Sequence, residues 1–535
     1  MTGATEEQTK NVHIPNKSTY VTIAKDESIH DKFEKAVETL RGKLGASHPM
    51  LIGGVAVRSE EGEFEVRSPI DTRIVVGRFQ KATKAHYVKA IQTARKELRS
   101  WAAGGYEQKV RIFNRAAEIL EERAFDVAAA ISFEVGKSRQ EALAEVFEVV
   151  DWFRYYCDQL QEQKGYATVM NSPVPGEHCL SVMRPYGVWC VISPFNFPLA
   201  LANNMCAGAL MMGNTVVLKP SSASPLVALD LYWIYRDAGV PAGAINFLTG
   251  GGRALGEELA TNPSVDGVAF VGSKAVGAEL LSGFTKGQAW PKPFIAEMGS
   301  KNPCLVTANA DVEKAAQGVA RGAFGFQGQK CSATSRVYVD RKISQSFIEC
   351  LVRTTASMKV GSPFDRTSYA GPVIDKGAQE KFEEWVAKAE QEGGKVLVGG
   401  KAPREGDLAN GYYVEPTVIT GLPAEHPLFK EELFLPVLAV AEVESFEEGL
   451  ALANDTEYGL TAGIFSEDQK ELRRFFDEIE FGVCYANRAG GATTGAWPGA
   501  QSFVGWKASG STGKGVLGPH YLQGFAREQS RTVAE

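Results

Sequence analysis

Val188-Trp189-Cys190-Val191-Ile192-Ser193-Pro194 is an unbroken apolar run closed by a turn pair. A run this short and this apolar reads as a strand buried on both faces. Downstream, strand patterns at 215–218, 244–248 and 267–271 alternate with helical patterns at 200–212, 225–238 and 252–260. Alternation of this kind builds a parallel sheet covered by helices on both faces, so the fold class is α/β. After Glu297 the alternation restarts, with strands at 303–306 and 336–339 and helices at 312–325 and 344–356. A second α/β domain is therefore expected.

Upstream, residues 84–165 are helical in pattern, with Val88, Ile91, Ala94 and Leu98 at one end and Leu120, Ala124, Val127 and Ile131 further on. Between this region and the strand at Val188, residues 166–185 carry short extended runs around Pro173, Pro175 and Gly176, which reads as a long hairpin. Near the start, 29–44 is an amphipathic helix and 51–57 a strand and turn.

The chain has 535 residues, too many for one ordinary core. Hydrophobic content of 44% and charged content of 23% describe a soluble globular protein. A net charge of −7 argues against a nucleic-acid surface. No run of about 18 apolar residues is present, so no membrane span is expected. The eight cysteines are scattered without a Cys-x-x-Cys pair, and residues 1–11 resemble neither a secretion nor a transit signal. A reducing, cytoplasmic setting is the expectation. The seven histidines show no metal spacing, and no metal site is expected.

The chemistry centres on Phe324-Gly325-Phe326-Gln327-Gly328-Gln329-Lys330-Cys331-Ser332-Ala333. A glycine-rich, amide-bearing segment there exposes one thiol to backbone N–H groups. Upstream, Phe294-Ile295-Ala296-Glu297-Met298-Gly299 sets a carboxylate among apolar and small residues. A thiol nucleophile and a desolvated glutamate are what making and breaking a thioester requires. Other segments are ambiguous when read singly. Phe270-Val271-Gly272-Ser273 opens a helix after a strand, which suits phosphate but also any tight turn. Lys219 ends a strand, where α/β folds bind ligands or simply meet solvent. Asn196, in Ser193-Pro194-Phe195-Asn196-Phe197-Pro198, is a turn former as well as an amide donor. Glu431-Glu432-Leu433-Phe434-Leu435-Pro436 also reads as an acidic helix start.

Taken together and in this order, these segments resemble the aldehyde dehydrogenase superfamily from about residue 51 to the end. The resemblance implies a Rossmann-like cofactor domain (1–165 and 187–297), a catalytic domain (298–507) and an oligomerisation flap (166–186 and 508–535). It implies Cys331 as nucleophile, Glu297 as base and Asn196 as oxyanion donor together with the Cys331 N–H. It also implies NAD held by Ser193, Pro194, Phe195, Lys219, Ser222, Gly272, Ser273, Glu432 and Phe434. Ser222 stands where an acid often meets the ribose 2′-hydroxyl, which leaves NADP open. Leu435 replaces the family's usual glycine.

Thr494-Gly495-Ala496, with Gly499, Gln501 and Phe503, resembles the substrate loop of the Δ1-pyrroline-5-carboxylate dehydrogenase subgroup. That likeness implies glutamate γ-semialdehyde as substrate, in proline catabolism. Gly495 and Ala496 would bind its α-carboxylate and Glu134 its ammonium group. Phe197, Ser332 and Phe503 would line its site. Another short polar aldehyde is the alternative substrate. The alternatives of another class are a non-redox cysteine hydrolase and a catalytically silent binding protein. A homodimer or higher homo-oligomer is expected through the flap.

Overall fold

The computed structural model describes residues 28–286, 288–491 and 498–534. Two seven-stranded sheets organise it. In the first, Phe294–Glu297, Gly267–Val271, Val188–Ser193, Thr215–Pro220 and Ile245–Phe247 lie parallel in that spatial order. The antiparallel pair Met50–Ile52 and Val55–Val57 extends its far edge. Val188–Ser193 is a central strand, which explains its unbroken apolar run. Trp189 and Val191 join the core on one face, Val188 and Cys190 the core on the other.

The second sheet runs Lys395–Val398, Thr417–Thr420, Val437–Val443, Thr334–Asp340, Asn302–Val306, Thr461–Phe465 and Val483–Ala486. All its pairings are parallel except that of Lys395–Val398. It too has a core on each face: Leu305 and Tyr338 on one, Cys304 and Val337 on the other. The α/β class and the doubled alternation stand.

Four consecutive helices, Lys84–Ala103, Gly105–Glu122, Ala124–Val135 and Arg139–Glu162, fill the predicted helical region. Gly136 ends the third in the left-handed region, at φ 74°. A Cβ there would meet Pro372 at 2.6 Å. Ser138 caps the fourth by accepting from the Glu141 N–H.

The hairpin is present as Ala167–Met170 and Glu177–Pro185, joined antiparallel by the C-terminal strand Ala526–Ala534. The arm begins later than residue 508. Between 508 and 525 the chain is packed rather than extended, and Leu517, Tyr521, Leu522 and Phe525 are buried in the largest core. The Ser509 hydroxyl donates to the Gly299 carbonyl and accepts from the Gly459 N–H. Ser511 bonds the edge strand at Phe294 and Ala296. This segment therefore laces the strand carrying Glu297 to Gly459, just before the strand Thr461–Phe465 of the second sheet.

Candidate active site

The carboxyl ends of four parallel strands of the first sheet converge, where ligands bind in open α/β sheets. Val188–Ser193 leads into Pro194, Phe195 and Asn196. Thr215–Pro220 brings Lys219 and, just beyond, Ser222. Gly267–Val271 is followed by Gly272 and Ser273, and Phe294–Glu297 ends on Glu297. A cleft of about 670 Å³ opens here. Ser193, Pro194, Phe195, Lys219, Ser222, Gly272, Ser273, Glu432 and Phe434 all line it, and so do Asn196 and Cys331.

Ser273 caps the helix Lys274–Thr285 by accepting from the Val276 N–H at 3.4 Å, so a helix N-terminus faces the cleft. A Cβ on Gly272 would meet the Phe270 ring at 2.6 Å. Burial holds the Lys219 ammonium below its ordinary pKa. At the other end Glu432 accepts from the Ser300 N–H at 2.7 Å, and burial raises its carboxyl. Phe434 takes φ 61° and meets Phe195 edge-on at 6.0 Å. The unusual backbone thus falls on Phe434, while Leu435 packs into the second sheet's core. A helix N-terminus, a lysine and a single lining carboxylate, Glu432, fit a dinucleotide with its pyrophosphate on the helix and a ribose on Glu432.

Cys331 follows a strained turn. Phe326 and Gln327 have φ of 48° and 54°, and Gly328 φ 66°. A Cβ on Gly328 would strike the Leu435 carbonyl oxygen at 2.4 Å, so only glycine fits. The Asn302 amide donates to the Cys331 and Ala333 carbonyls at 2.7 and 2.9 Å, and its own oxygen accepts from the Thr461 N–H. Asn302 clamps the loop from the neighbouring strand. Its place in the Ser300-Lys301-Asn302-Pro303 run gave no local sign of this. Asn196, buried, donates to the Gln329 carbonyl at 3.1 Å, which joins its loop to the nucleophile's.

The Glu297 carboxyl lies beside the Cys331 thiol, and Glu297 Oε1 has no hydrogen-bond partner among the described residues. Burial pushes the Glu297 carboxyl up to about 7, against the lowering effect of the neighbouring thiol. Burial and the adjacent carboxylate push the thiol well above its usual range, while the Ser332 N–H favours the thiolate. Near neutrality the thiol therefore keeps its proton while Glu297 stands close to half ionised, and its carboxylate form is the base beside sulfur. Phe503 packs with Cys331 in a small cluster and lines a second, smaller cavity together with Glu297. Ser332 is buried beside the nucleophile. Gly495 and Ala496 lie outside the described residues.

Glu134 lines neither of these two cavities. It is 1% exposed and accepts from the Leu226 and Val227 N–H groups at 2.6 and 2.9 Å, capping the helix Pro225–Ala238. On the last turn of Ala124–Val135 its side chain meets that helix start rather than the nucleophile. The carboxylates near the nucleophile loop come from the next helix instead. Glu141 binds Lys330 through both oxygens at 2.8 Å, and Glu145 pairs with Lys137 at 2.7 Å. Glu148 is buried nearby, with Oε1 unpartnered among the described residues and its carboxyl raised to about 8 by burial. Glu141, Glu145 and Glu148 recur at helical spacing in an apolar helix. That pattern of carboxylates on one buried face was the available signal.

The aldehyde dehydrogenase family profile matches residues 56–530. A 1-pyrroline-5-carboxylate dehydrogenase of Anoxybacillus flavithermus is 37% identical over 506 residues, covering 94% of this chain and 96% of its own. The crystal structure of 1-pyrroline-5-carboxylate dehydrogenase from Thermus with bound NAD superposes with a TM-score of 0.90 at 33% identity, covering 96% of this chain and 97% of its own. Proline utilization A of Bdellovibrio bacteriovorus superposes at 0.89 with 34% identity over 94% of this chain, which spans 52% of that longer one. The chain belongs to the aldehyde dehydrogenase family.

Proposed function

We propose that the protein oxidises L-glutamate γ-semialdehyde, the open form of Δ1-pyrroline-5-carboxylate, to L-glutamate with NAD. The observation that carries this reading is Cys331 beside the buried Glu297 carboxyl, at the mouth of a dinucleotide-sized cleft that Cys331 lines. The relatives' names supply the substrate.

Glu297 takes the thiol proton, and the Cys331 sulfur attacks the aldehyde carbon. The Asn196 amide and the Cys331 N–H hold the oxyanion as it forms. NAD, when bound, supplies the hydride acceptor. Glu297 gives up the thiol's proton to solvent and, as a carboxylate again, takes a proton from water, which attacks the carbon of the thioester left on Cys331 by loss of hydride. The carboxylate product leaves, and the sulfur is freed. Gly495 and Ala496 are assigned to the substrate's α-carboxylate on sequence likeness alone. Phe197, Ser332 and Phe503 are assigned to its surroundings.

Among the described residues lining the cleft, Glu432 is the only acid, and Ser222 offers no charge against a 2′-phosphate. NADP use alongside NAD is therefore part of the proposal. The flap supports a homodimer. Its edge strand Ala167–Met170 is exposed throughout, and Val169 is 81% accessible. An uncovered strand edge invites pairing with a second copy. No helix among the described residues is long and apolar enough to cross a membrane. Eight cysteines, all unpaired, suit the cytoplasm.

An aldehyde panel with NAD and NADP tests the reading. Charge-assisted hydrogen bonds to the α-carboxylate are worth roughly 1.5–3 kcal/mol each. Glutamate γ-semialdehyde should therefore exceed pentanal by about tenfold to a hundredfold or more in kcat/KM. Equal rates would leave a general aldehyde dehydrogenase. No reduction of either cofactor with any aldehyde would favour a non-redox cysteine hydrolase.

A further inference from the structure

The mechanism leaves one buried ion pair unused. Lys137 and Glu145 are fully enclosed, with Nζ to Oε2 at 2.7 Å. A buried pair of this kind is weak evidence for stability, because desolvation offsets its attraction and apolar residues often serve as well. Its position is more informative. Glu145 Oε1 accepts from the Leu199 and Ala200 N–H groups at 2.9 and 3.0 Å, fixing the start of the helix that follows the Asn196 loop. Lys137 Nζ sits 3.3 Å from the centroid of the Phe197 ring and 4.8 Å from that of Phe326. Phe197 follows Asn196 directly, and Phe326 belongs to the strained turn before Cys331. The two rings meet edge-on at 6.4 Å. One cation thus bridges the loop of the oxyanion donor and the loop of the nucleophile by cation–π contact, while its partner carboxylate anchors the first loop's backbone.

We propose that the Lys137–Glu145 pair is a positioning brace that sets the Asn196 amide against Cys331. It touches neither substrate nor cofactor, and acts through the two loops. The proposal rests on the reading of Asn196 as oxyanion donor. Small displacements of a preorganised donor are costly in rate, so the effect should fall on chemistry rather than on cofactor binding.

The test is a cycle between Lys137→Met/Glu145→Gln and Asn196→Ala, with single-turnover cofactor reduction as readout and any aldehyde the wild type oxidises. The paired substitution removes both charges together and keeps an acceptor for Leu199 and Ala200. It should slow reduction by roughly tenfold or more with the Kd for NAD unchanged. In the Asn196→Ala background it should slow reduction by less than about twofold, because the group it positions is gone. A wild-type rate in the paired variant would overturn the brace alone. So would an equal loss in both backgrounds, which marks general loosening. A wild-type rate for Asn196→Ala itself would overturn the oxyanion reading and the brace with it. If the paired variant does not fold, Phe326→Leu removes one ring contact and leaves the ion pair intact, and the same outcomes decide.

Discussion

The two flanks of Cys331 are built from different material. The cofactor flank is made of strand ends and turns, with backbone N–H groups, glycines and few charges: Lys219, Lys381 and Glu432. The opposite flank is a helix face carrying Glu141, Glu145 and Glu148, answered by Lys137 and Lys330, all but excluded from water. The first offers backbone N–H groups and strand ends, the geometry with which α/β folds meet ligands. The second holds charges at high desolvation cost and positions loops by pairing them. The nucleophile stands between a surface built to bind and a scaffold built to hold.

The largest effect should come from the residue shared by both flanks. Cys331→Ala should abolish aldehyde oxidation and leave NAD affinity and melting temperature near wild type, since the cofactor flank does not depend on the thiol. Calorimetric NAD binding beside an activity assay checks both halves. Residual oxidation at a substantial rate would remove Cys331 from its role.

A smaller effect separates structural from chemical carboxylates. Glu134→Ala strips the acceptor from two buried N–H groups and should cost about 1–3 kcal/mol of stability. The ratio of kcat/KM between glutamate γ-semialdehyde and pentanal should not change. A selective loss on the amino-acid aldehyde would return Glu134 to the substrate site.

The smallest effect concerns pH. Glu297 is raised to about 7, and Glu134 and Glu148 to about 8, against an ordinary glutamate value of 4.5. Folding therefore favours their protonated forms. The stability they contribute is complete below about pH 4.5 and is lost as pH rises through 7 and 8. Thermal melts should show a declining melting temperature from about pH 5 to 9, and Glu148→Gln should flatten part of that decline. A profile unchanged by Glu148→Gln would mean that its carboxyl titrates normally.

Legibility in the sequence follows the same division. Residues on the cofactor flank sit in short segments at strand ends, so local pattern and family likeness picked out segments that the fold brings to one cleft. Central strands were readable because burial on both faces leaves an unbroken apolar run. The capping role of Glu134 was not legible, because the likeness of the Phe133–Lys137 segment says nothing about which helix its side chain will cap. Asn302 and the Glu145–Lys137 pair were invisible for the same reason, since their partners lie far along the chain. The glycine- and serine-rich stretch after 508 looks extended in sequence, yet its hydroxyls tie the strand carrying Glu297 to Gly459.

The central claim is a thioester on Cys331 that Glu297 resolves. Glu297→Gln removes the base for hydrolysis, and its most direct test is intact-mass and peptide analysis after mixing with NAD and aldehyde. Because Glu297 serves both steps, the claim predicts that Glu297→Gln slows cofactor reduction and slows thioester hydrolysis more, so that an acyl adduct builds up on the peptide bearing Cys331. Wild-type turnover with no adduct at any time would contradict it.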